Sequence, residues 1–115
     1  MVVRDNPAEH RYEVFVDGEL AGFTVYRVRD ARYWFVHTEI DDAHRGKSVG
    51  AFLVRNALDD IRSRGASIVP VCPFVAGWIR RHPDYRDLVD TEALAAFKKH
   101  RGRAGSNRLS QQSKP

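Results

Sequence analysis

The sequence predicts a single mixed α/β (α+β) domain: an antiparallel meander of three strands, a long helix, a fourth strand parallel to the third, and short C-terminal helices. A turn dipeptide, Asp17-Gly18, lies between two apolar runs and is typical of a β-hairpin. An apolar stripe with helical spacing follows the third run, and a short apolar segment with two prolines follows the stripe. Because strand, helix and strand in succession favour a right-handed crossover, the last strand is expected beside the third.

The meander is predicted from three runs of strand-forming residues. Tyr12–Val16 precedes the Asp17-Gly18 turn, and Leu20–Val28 continues as the second strand. A second reversal over residues 29–32 leads into Tyr33–Ile40. Strict alternation along this third strand predicts two faces, one with Tyr33, Phe35, His37 and Glu39 and the other with Trp34, Val36, Thr38 and Ile40.

The segment Ile40–Gly50, between the third strand and the helix, has the composition of an anion-binding loop. Gly46 and Gly50 allow close backbone approach, and the N–H groups of a first helical turn point out of the helix. The charges of Arg45 and Lys47 and the helix dipole all favour a phosphate or pyrophosphate there. The alternative, from the glycines alone, is an ordinary strand-to-helix turn.

The helix is predicted from an apolar stripe that ends at Arg64-Gly65, a basic last turn followed by a glycine typical of a C-terminal cap. The stripe consists of Val49, Leu53, Val54, Ala57, Leu58 and Ile61. The next run, Ser67–Pro73, is apolar enough for a strand, but Pro70 within it cannot donate to a ladder. We therefore expect a split in the sheet, with a cleft that begins at the loop and passes between His37 and Cys72.

Short helices are predicted for the rest of the folded chain. Phe74–Arg81 has apolar residues at helical spacing and is ended by His82-Pro83. Residues 84–89 are either a further turn of helix or an irregular segment. Thr91 is expected to cap a last helix that runs from Glu92 to about His100.

Length and charge bound the class of protein. The 115 residues suit one domain, expected over residues 1–97, and we expect neither a membrane span nor a signal peptide. Residues 98–115 carry six basic groups and no acid, whereas residues 1–97 carry 13 basic and 15 acidic groups. Residues 98–115 are therefore expected to be a disordered basic tail, and charge gives little support for nucleic-acid binding by the domain. The single cysteine, Cys72, excludes an internal disulfide, and the expected location is cytoplasmic.

Residues 45–50, Arg-Gly-Lys-Ser-Val-Gly, resemble the acetyl-CoA loop of the GNAT superfamily of N-acetyltransferases, (Gln/Arg)-x-x-Gly-x-(Gly/Ala). The order of strand, loop, long helix, proline-bearing strand and short helix is similar to the cofactor-binding half of that superfamily. The sequence departs from the loop pattern at Ser48, which stands where the family has its central glycine.

Further segments are similar to the small YjdJ-type branch of the superfamily, a minimal acetyltransferase, over roughly residues 10–89. They are Arg11-Tyr12, Asp17-Gly18, His37-Thr38-Glu39-Ile40, Pro70-Val71-Cys72-Pro73-Phe74 and His82-Pro83-Asp84-Tyr85. The resemblance implies a minimal GNAT-like fold with acetyl-CoA lying across the loop and its pantetheine arm in the split of the sheet. The cofactor-binding residues that we expect are Ile40, Arg45, Gly46, Lys47, Ser48, Val49, Gly50, Phe74, His82 and Tyr85.

Acetyl transfer to an amine needs a neutral amine, a stabilised oxyanion and protonation of the departing thiolate. The resemblance places His37 and Cys72 on the strands that bracket the acetyl group. His37 is the first candidate for the base and Glu39 the second, while Cys72 is a nucleophile, a proton donor or a small buried residue without a chemical role. Tyr85 is a further candidate proton donor, because a tyrosine has that role in many family members.

The expected function is acetyl-CoA-dependent transfer of an acetyl group to an amine, in a small molecule or a protein, whose identity the sequence leaves open. The alternatives are a non-catalytic acyl-CoA-binding module or regulator, and a small nucleic-acid-binding protein that acts through the basic tail. No metal site is predicted, since the five histidines include no close ligand pair. The edge of the meander allows a weak homodimer, and a monomer is the alternative.

Overall fold

The computed structural model describes residues 1–46 and 48–100, and their strands form one mixed sheet. The strands lie in sequence order across the sheet as β1 (Val2–Asn6), β2 (Arg11–Val16), β3 (Glu19–Arg29), β4 (Arg32–Ile40) and β5 (Ser67–Pro70). Strands β1 to β4 are antiparallel to their neighbours, and β5 is parallel to β4. The predicted mixed α/β architecture, with its meander and its parallel last strand, is confirmed.

Three helices accompany the sheet within the described residues. They are α1 (Val49–Ser63), α2 (Pro73–Arg81) and α3 (residues 91–100), and short 3-10 turns lie at Pro7–Glu9, Asp42–His44 and Pro83–Leu88. None of the helices in this part of the chain has the length and apolarity that a membrane span requires.

The start of α3 differs from the sequence prediction. The Oδ1 atom of Asp90 accepts a hydrogen bond from the backbone N–H of Ala93 at 3.0 Å, so Asp90, and not Thr91, caps this helix. Residues 98–100 of the expected tail belong to α3. The remainder of that tail, residues 101–115, lies outside the described residues.

Strand β1 is an addition to the predicted meander. It pairs with β2 over its whole length, from Val2 opposite Phe15 to Asn6 opposite Arg11. Because it lies at the edge of the sheet, it needs few apolar residues and gives only a weak signal in the sequence. Tertiary contacts hold it, since the carboxylate of Asp5 accepts hydrogen bonds from the hydroxyl of Tyr26 at 2.6 Å and from Nη2 of Arg64 at 3.2 Å.

The hydrophobic core lies between α1, α2 and one face of the sheet. Its fully buried members include Tyr12, Val14, Phe35, Leu53, Leu58, Ile61, Ile68, Val75 and Trp78. The hydroxyl of Tyr12 donates to the carboxylate of Asp60 on α1 at 2.6 Å, which joins the sheet to the helix. On the opposite face, Trp34 of β4 makes an edge-to-face contact with Phe97 of α3 at 6.1 Å.

A β-bulge at Val36 overturns the predicted faces of β4. Phe35 lies opposite Tyr26 and His37 lies opposite Val25, so Val36 has no counterpart on β3. One extra residue reverses the alternation beyond it, which puts Thr38 and Ile40 on the core face with Phe35. His37 and Glu39 therefore lie on the opposite face.

Strand β5 accompanies only the first half of β4. Their pairing runs from Arg32 opposite Ser67 to Phe35 opposite Pro70. Around Pro70 the chain turns back on itself, because the N–H of Val71 donates to the carbonyl of Val69 at 3.0 Å. The N–H of Cys72 then donates to the carbonyl of Phe35 at 2.8 Å and marks the closed end of the split. The split that Pro70 predicts is present.

Candidate active site

A groove of about 600 Å³ opens where β5 leaves β4. Its walls are the second half of β4, the loop that follows, the first turn of α1 and one side chain of α2. The lining residues are His37, Thr38, Glu39, Ile40, His44, Arg45, Gly46, Ser48, Val49, Gly50, Ala51 and Phe74. In the described part of the chain, β4 beyond Phe35 has no strand partner on this side, so backbone polar groups are available to a ligand.

The loop at one end of the groove brings most of the predicted phosphate-binding residues together. Gly46 has a φ of 78° and Ser48 a φ of 62°, both in the left-handed region, and α1 begins directly after Ser48. The Nε atom of Arg45 lies 3.0 Å from a carboxylate oxygen of Asp42, and the Arg45 side chain is largely exposed. The first turn of α1 contains no acidic residue that would repel an anion. Lys47, which we also expect to bind, lies outside the described residues.

The ring of Phe74 closely approaches Gly50. A Cβ atom placed on Gly50 would lie 2.5 Å from the tip of the Phe74 ring. Phe74 is 42% exposed and lines the groove beside Gly50. Gly50 and Phe74, which belong to separate motifs in the sequence, are thus adjacent in the wall of the groove.

His37 and Glu39 form a hydrogen-bonded pair beside the groove. The Nε2 atom of His37 lies 2.8 Å from Oε2 of Glu39, and both side chains are more than half exposed. They extend from the sheet face opposite α1, yet both residues also line the groove. An imidazole held by a carboxylate has a fixed orientation and is suited to accept a proton.

Cys72 lies beneath the groove and contacts Thr38. Its side chain is 4% exposed and precedes the first turn of α2. The Sγ atom lies 3.3 Å from Oγ1 of Thr38, which is the residue between Cys72 and the groove. The sequence predicts a cleft between His37 and Cys72, and the resemblance implies that both bracket the acetyl group. The structure does not bring the two side chains together, because the bulge at Val36 turns His37 to the other face.

His82 and Tyr85 lie away from the groove. The ring of His82 stacks on Trp78 at 3.9 Å, and its Nδ1–H donates to the Trp78 carbonyl at 2.8 Å. The hydroxyl of Tyr85 donates to Asp59 at 2.7 Å and accepts from Arg55 at 3.2 Å. Burial, followed by the hydrogen bond to Asp59, raises the pKa of the Tyr85 hydroxyl above its ordinary value. Neither residue lines the groove.

Three residues that line the groove are missing from the predicted set, namely Thr38, His44 and Ala51. Ala51 belongs to the first turn of α1, and the helix N-terminus in the sequence was the signal for it. His44 has an Asp41 partner three residues earlier, with 3.3 Å between Nδ1 and Oδ2. Thr38 was hidden by the assumption of strict alternation, because no residue type in β4 announces the bulge.

Comparison with known proteins gives consistent results. Residues 11–88 match the family described as GCN5-related N-acetyl-transferase. A streptothricin acetyltransferase from Streptomyces lavendulae is 42% identical over 55 residues, which cover 46% of this chain and 29% of that protein. The match thus spans under a third of the length of that curated relative. The solution structure of a GCN5-like protein from Staphylococcus aureus has a TM-score of 0.58 at 18% identity and covers 76% of this chain and 86% of that chain, a likeness of fold.

Proposed function

Because the chain belongs to the GCN5-related N-acetyltransferase family, we propose that it binds acetyl-CoA in the groove and transfers the acetyl group to an amine. The observation that carries this proposal is the groove itself, which joins the anion-binding loop to the open half of β4. The family supplies the reaction class, and the groove supplies a place for the acyl donor. The narrower assignment to the YjdJ-type branch, the cytoplasmic location and the monomer or weak homodimer stay predictions from the sequence.

The groove suits the acyl donor in size and chemistry. A volume of about 600 Å³ falls within the usual range of small-molecule and cofactor sites. Gly46, Ser48 and the first turn of α1 offer backbone N–H groups to a pyrophosphate, and Arg45 offers a positive charge. The free edge of β4 then offers N–H and C=O groups to the amides of a pantetheine arm. When bound, acetyl-CoA supplies an acetyl group activated as a thioester.

His37 and Glu39 are proposed to receive the proton of the acceptor amine. His37 takes the proton, and Glu39, at 2.8 Å, orients its ring and favours the imidazolium that forms. The exposure of both side chains on the face away from α1 leaves room for the acceptor on that side of the sheet. The acceptor is an amine of a small molecule or of a protein.

Calorimetric titration with acetyl-CoA and with CoA tests the binding step. Gly50→Glu places a side chain with a negative charge where the Phe74 ring closes the wall, and we expect binding to be lost. Gly50→Ala introduces the steric contact without the charge. We expect binding to be weakened but not lost, because the exposed Phe74 ring is able to move aside. Ser63→Glu adds the same charge at the other end of α1 and is expected to bind normally. Failure of the unaltered protein to bind either compound would contradict the proposal.

An acceptor screen tests the chemical step. We expect CoA release to depend on an added amine and to fall in His37→Ala and Glu39→Gln while acetyl-CoA binding is retained. Binding without turnover across small amines, polyamines and lysine peptides would instead favour a non-catalytic acyl-CoA-binding module. The hypothesis that the protein acts through its basic tail is tested by deletion of residues 101–115. If the folded domain alone is responsible for catalysis, the deletion leaves acetyl transfer unchanged.

A further inference from the structure

The groove contains two hydroxyl groups among its described lining residues, one on β4 and one in the loop before α1. Ser48 belongs to the loop at the start of α1. Thr38 lies three residues from Phe35, whose carbonyl marks the closed end of the split. With a pyrophosphate at the loop, the sulfur end of the acyl donor would lie toward Thr38; this step rests on the proposed function.

The hydroxyl of Thr38 has two neighbours inside the protein. Oγ1 of Thr24 lies at 2.8 Å and Sγ of Cys72 at 3.3 Å. A threonine hydroxyl accepts two hydrogen bonds and donates one. Both neighbours carry a proton that they are able to donate, and each is buried in the core. When both donate to Thr38, its own O–H has no acceptor among them and is directed to the groove that Thr38 lines.

Within the described residues, Thr24 has one other hydrogen-bond acceptor beside Thr38. Thr24 is fully buried, and its alternative acceptor is the carbonyl of His37 at 3.4 Å. That distance is longer than the 2.8 Å to Thr38. When a group in the groove takes the proton of Thr38, Thr24 is therefore able to turn its own O–H to Thr38. Cys72 is only 4% exposed, and the Thr38 hydroxyl is the polar group that its thiol contacts. With Thr24 and Cys72 both donating, the Thr38 hydroxyl is directed to the groove.

The position expected for a proton donor to the leaving group is not filled by the tyrosine of the sequence hypothesis. The hydroxyl of Tyr85 is engaged by Asp59 and Arg55 and lies outside the groove. We propose that Thr38 is the hydrogen-bond donor to the sulfur atom of the acyl donor, and that Cys72 and Thr24 are positioning residues that act through it. As the amine nitrogen bonds to the acetyl carbon and the carbon–sulfur bond breaks, the sulfur would take the electron pair of the broken bond and the amine proton would go to His37. The Thr38 O–H would stabilise the negative charge that develops on the sulfur.

The test compares binding of CoA with binding of desulfo-CoA, which lacks the sulfur, by calorimetry at pH 8.5. It needs no acceptor and no turnover. The unaltered protein is expected to bind CoA about five- to tenfold more tightly than desulfo-CoA, the size of a hydrogen bond to a partly ionised thiol. Thr38→Val is expected to reduce that ratio to about one, and Thr38→Ser to restore it. A merely structural role for Thr38 would weaken both compounds equally and leave the ratio unchanged.

Ser48→Ala is the matched control, because it removes the other hydroxyl of the groove. It is expected to change the affinity for both compounds by the same factor. If Thr38→Val does not fold, as judged by thermal melting, Thr38→Ala takes its place. Equal affinities of the unaltered protein for CoA and desulfo-CoA, or a ratio unchanged in the Thr38 variants, would overturn this inference and leave the proposed function standing. Acetyl-CoA is titrated in parallel, and a Thr38→Val variant that weakens acetyl-CoA alone would place the hydroxyl on the carbonyl oxygen and also overturn the inference. Binding of neither compound would overturn the proposed function itself.

Discussion

The two halves of β4 belong to one strand but have different partners. Arg32–Phe35 lies between β3 and β5, and its inward side chains enter the core. Residues 37–40 pair with β3 alone, and their other edge forms a wall of the groove. The change occurs at Val36, where the bulge in the β3 pairing and the departure of β5 nearly coincide.

The difference shows how one strand serves both stability and function. In the first half, the backbone N–H and C=O groups form hydrogen bonds with strands on both sides, and the side chains contribute through their packing in the core. In the second half, one row of backbone groups is left for a ligand. Substitutions in the first half are therefore expected to change the free energy of unfolding, and substitutions in the second half to change binding.

The largest expected effect on stability comes from Phe35. This ring is 1% exposed and packs against Tyr12 and Tyr26, so Phe35→Ala is expected to lower the free energy of unfolding by about 3–5 kcal/mol. Val36→Ala, at the half-exposed bulge, is expected to cost under about 0.5 kcal/mol. Urea denaturation of both variants measures the difference. Similar losses would mean that the two halves of β4 are not energetically distinct.

The next largest effect is expected from Tyr26, the partner of Phe35 across β3. Burial, and then the hydrogen bond to Asp5, raise the pKa of Tyr26 above its ordinary value. The neutral phenol therefore stabilises the fold below about pH 10, and this stability is lost as the pH rises further. Tyr26→Phe is expected to cost about 1–2 kcal/mol at pH 7, because Asp5 loses a donor, and to weaken the decline above pH 10. Denaturation at pH 7 and pH 10.5 checks both parts, and an unchanged alkaline decline would contradict the second.

Asp90 links α3 to the first residue of β4 and is expected to act at acid pH. The N–H of Ala93, and then the Arg32 guanidinium, lower the pKa of the Asp90 carboxyl. Its contribution is present above about pH 4 and is lost as the pH falls through the lower folded-state value. Asp90→Asn keeps a helix cap but not the charge, so amide exchange of residues 91–100 is expected to change less between pH 5 and pH 3 than in the unaltered protein.

Asp87→Asn is the control for that experiment. The Arg62 guanidinium lowers the pKa of Asp87 in the same direction, but the pair joins α1 to the turn before α3. Asp87→Asn is expected to alter the free energy of unfolding at acid pH without reducing the change in amide exchange of α3 between pH 5 and pH 3. The same reduction of that change in both variants would mean that the contact between Asp90 and Arg32 has no local effect on α3.

The smallest expected effects come from two residues with the same strained backbone. Ala31, before the first half of β4, and Ser48, after the second half, both have a φ of 62°. Glycine adopts this conformation without the Cβ contact, so each substitution to glycine is expected to raise the free energy of unfolding by about 0.5–1 kcal/mol. Ala31→Gly is expected to leave acetyl-CoA binding unchanged, whereas Ser48→Gly changes it. A change in acetyl-CoA binding in Ala31→Gly would mean that the two ends of β4 do not differ in function.

Much of this fold was accessible from local patterns. Asp17-Gly18 has positive φ at both positions and forms the predicted hairpin turn, and the stripe from Val49 to Ile61 is buried as predicted. Pro70 predicted the split beside β5, because a residue without an N–H is unable to continue a ladder, but β5 ends at Pro70 and not at Pro73 as expected. Strand β1 was missed, since Asp5 is held by Tyr26 and Arg64 from distant parts of the chain. Such partners leave no periodic signal in the strand that they stabilise.

The site divides in the same way. The sequence by itself determined the loop, in which Gly46 stands between two charged residues, and the start of the helix at Val49. It also determined the position of Pro70, where the sheet opens. Each of these features depends on residues that are neighbours in the sequence. The tertiary structure alone decided which side chains meet there. One unpaired residue, Val36, turns His37 toward Glu39 and the outer face and brings Thr38 to Cys72. A bulge depends on the register between two strands, and that register is a property of the assembled sheet and not of either strand.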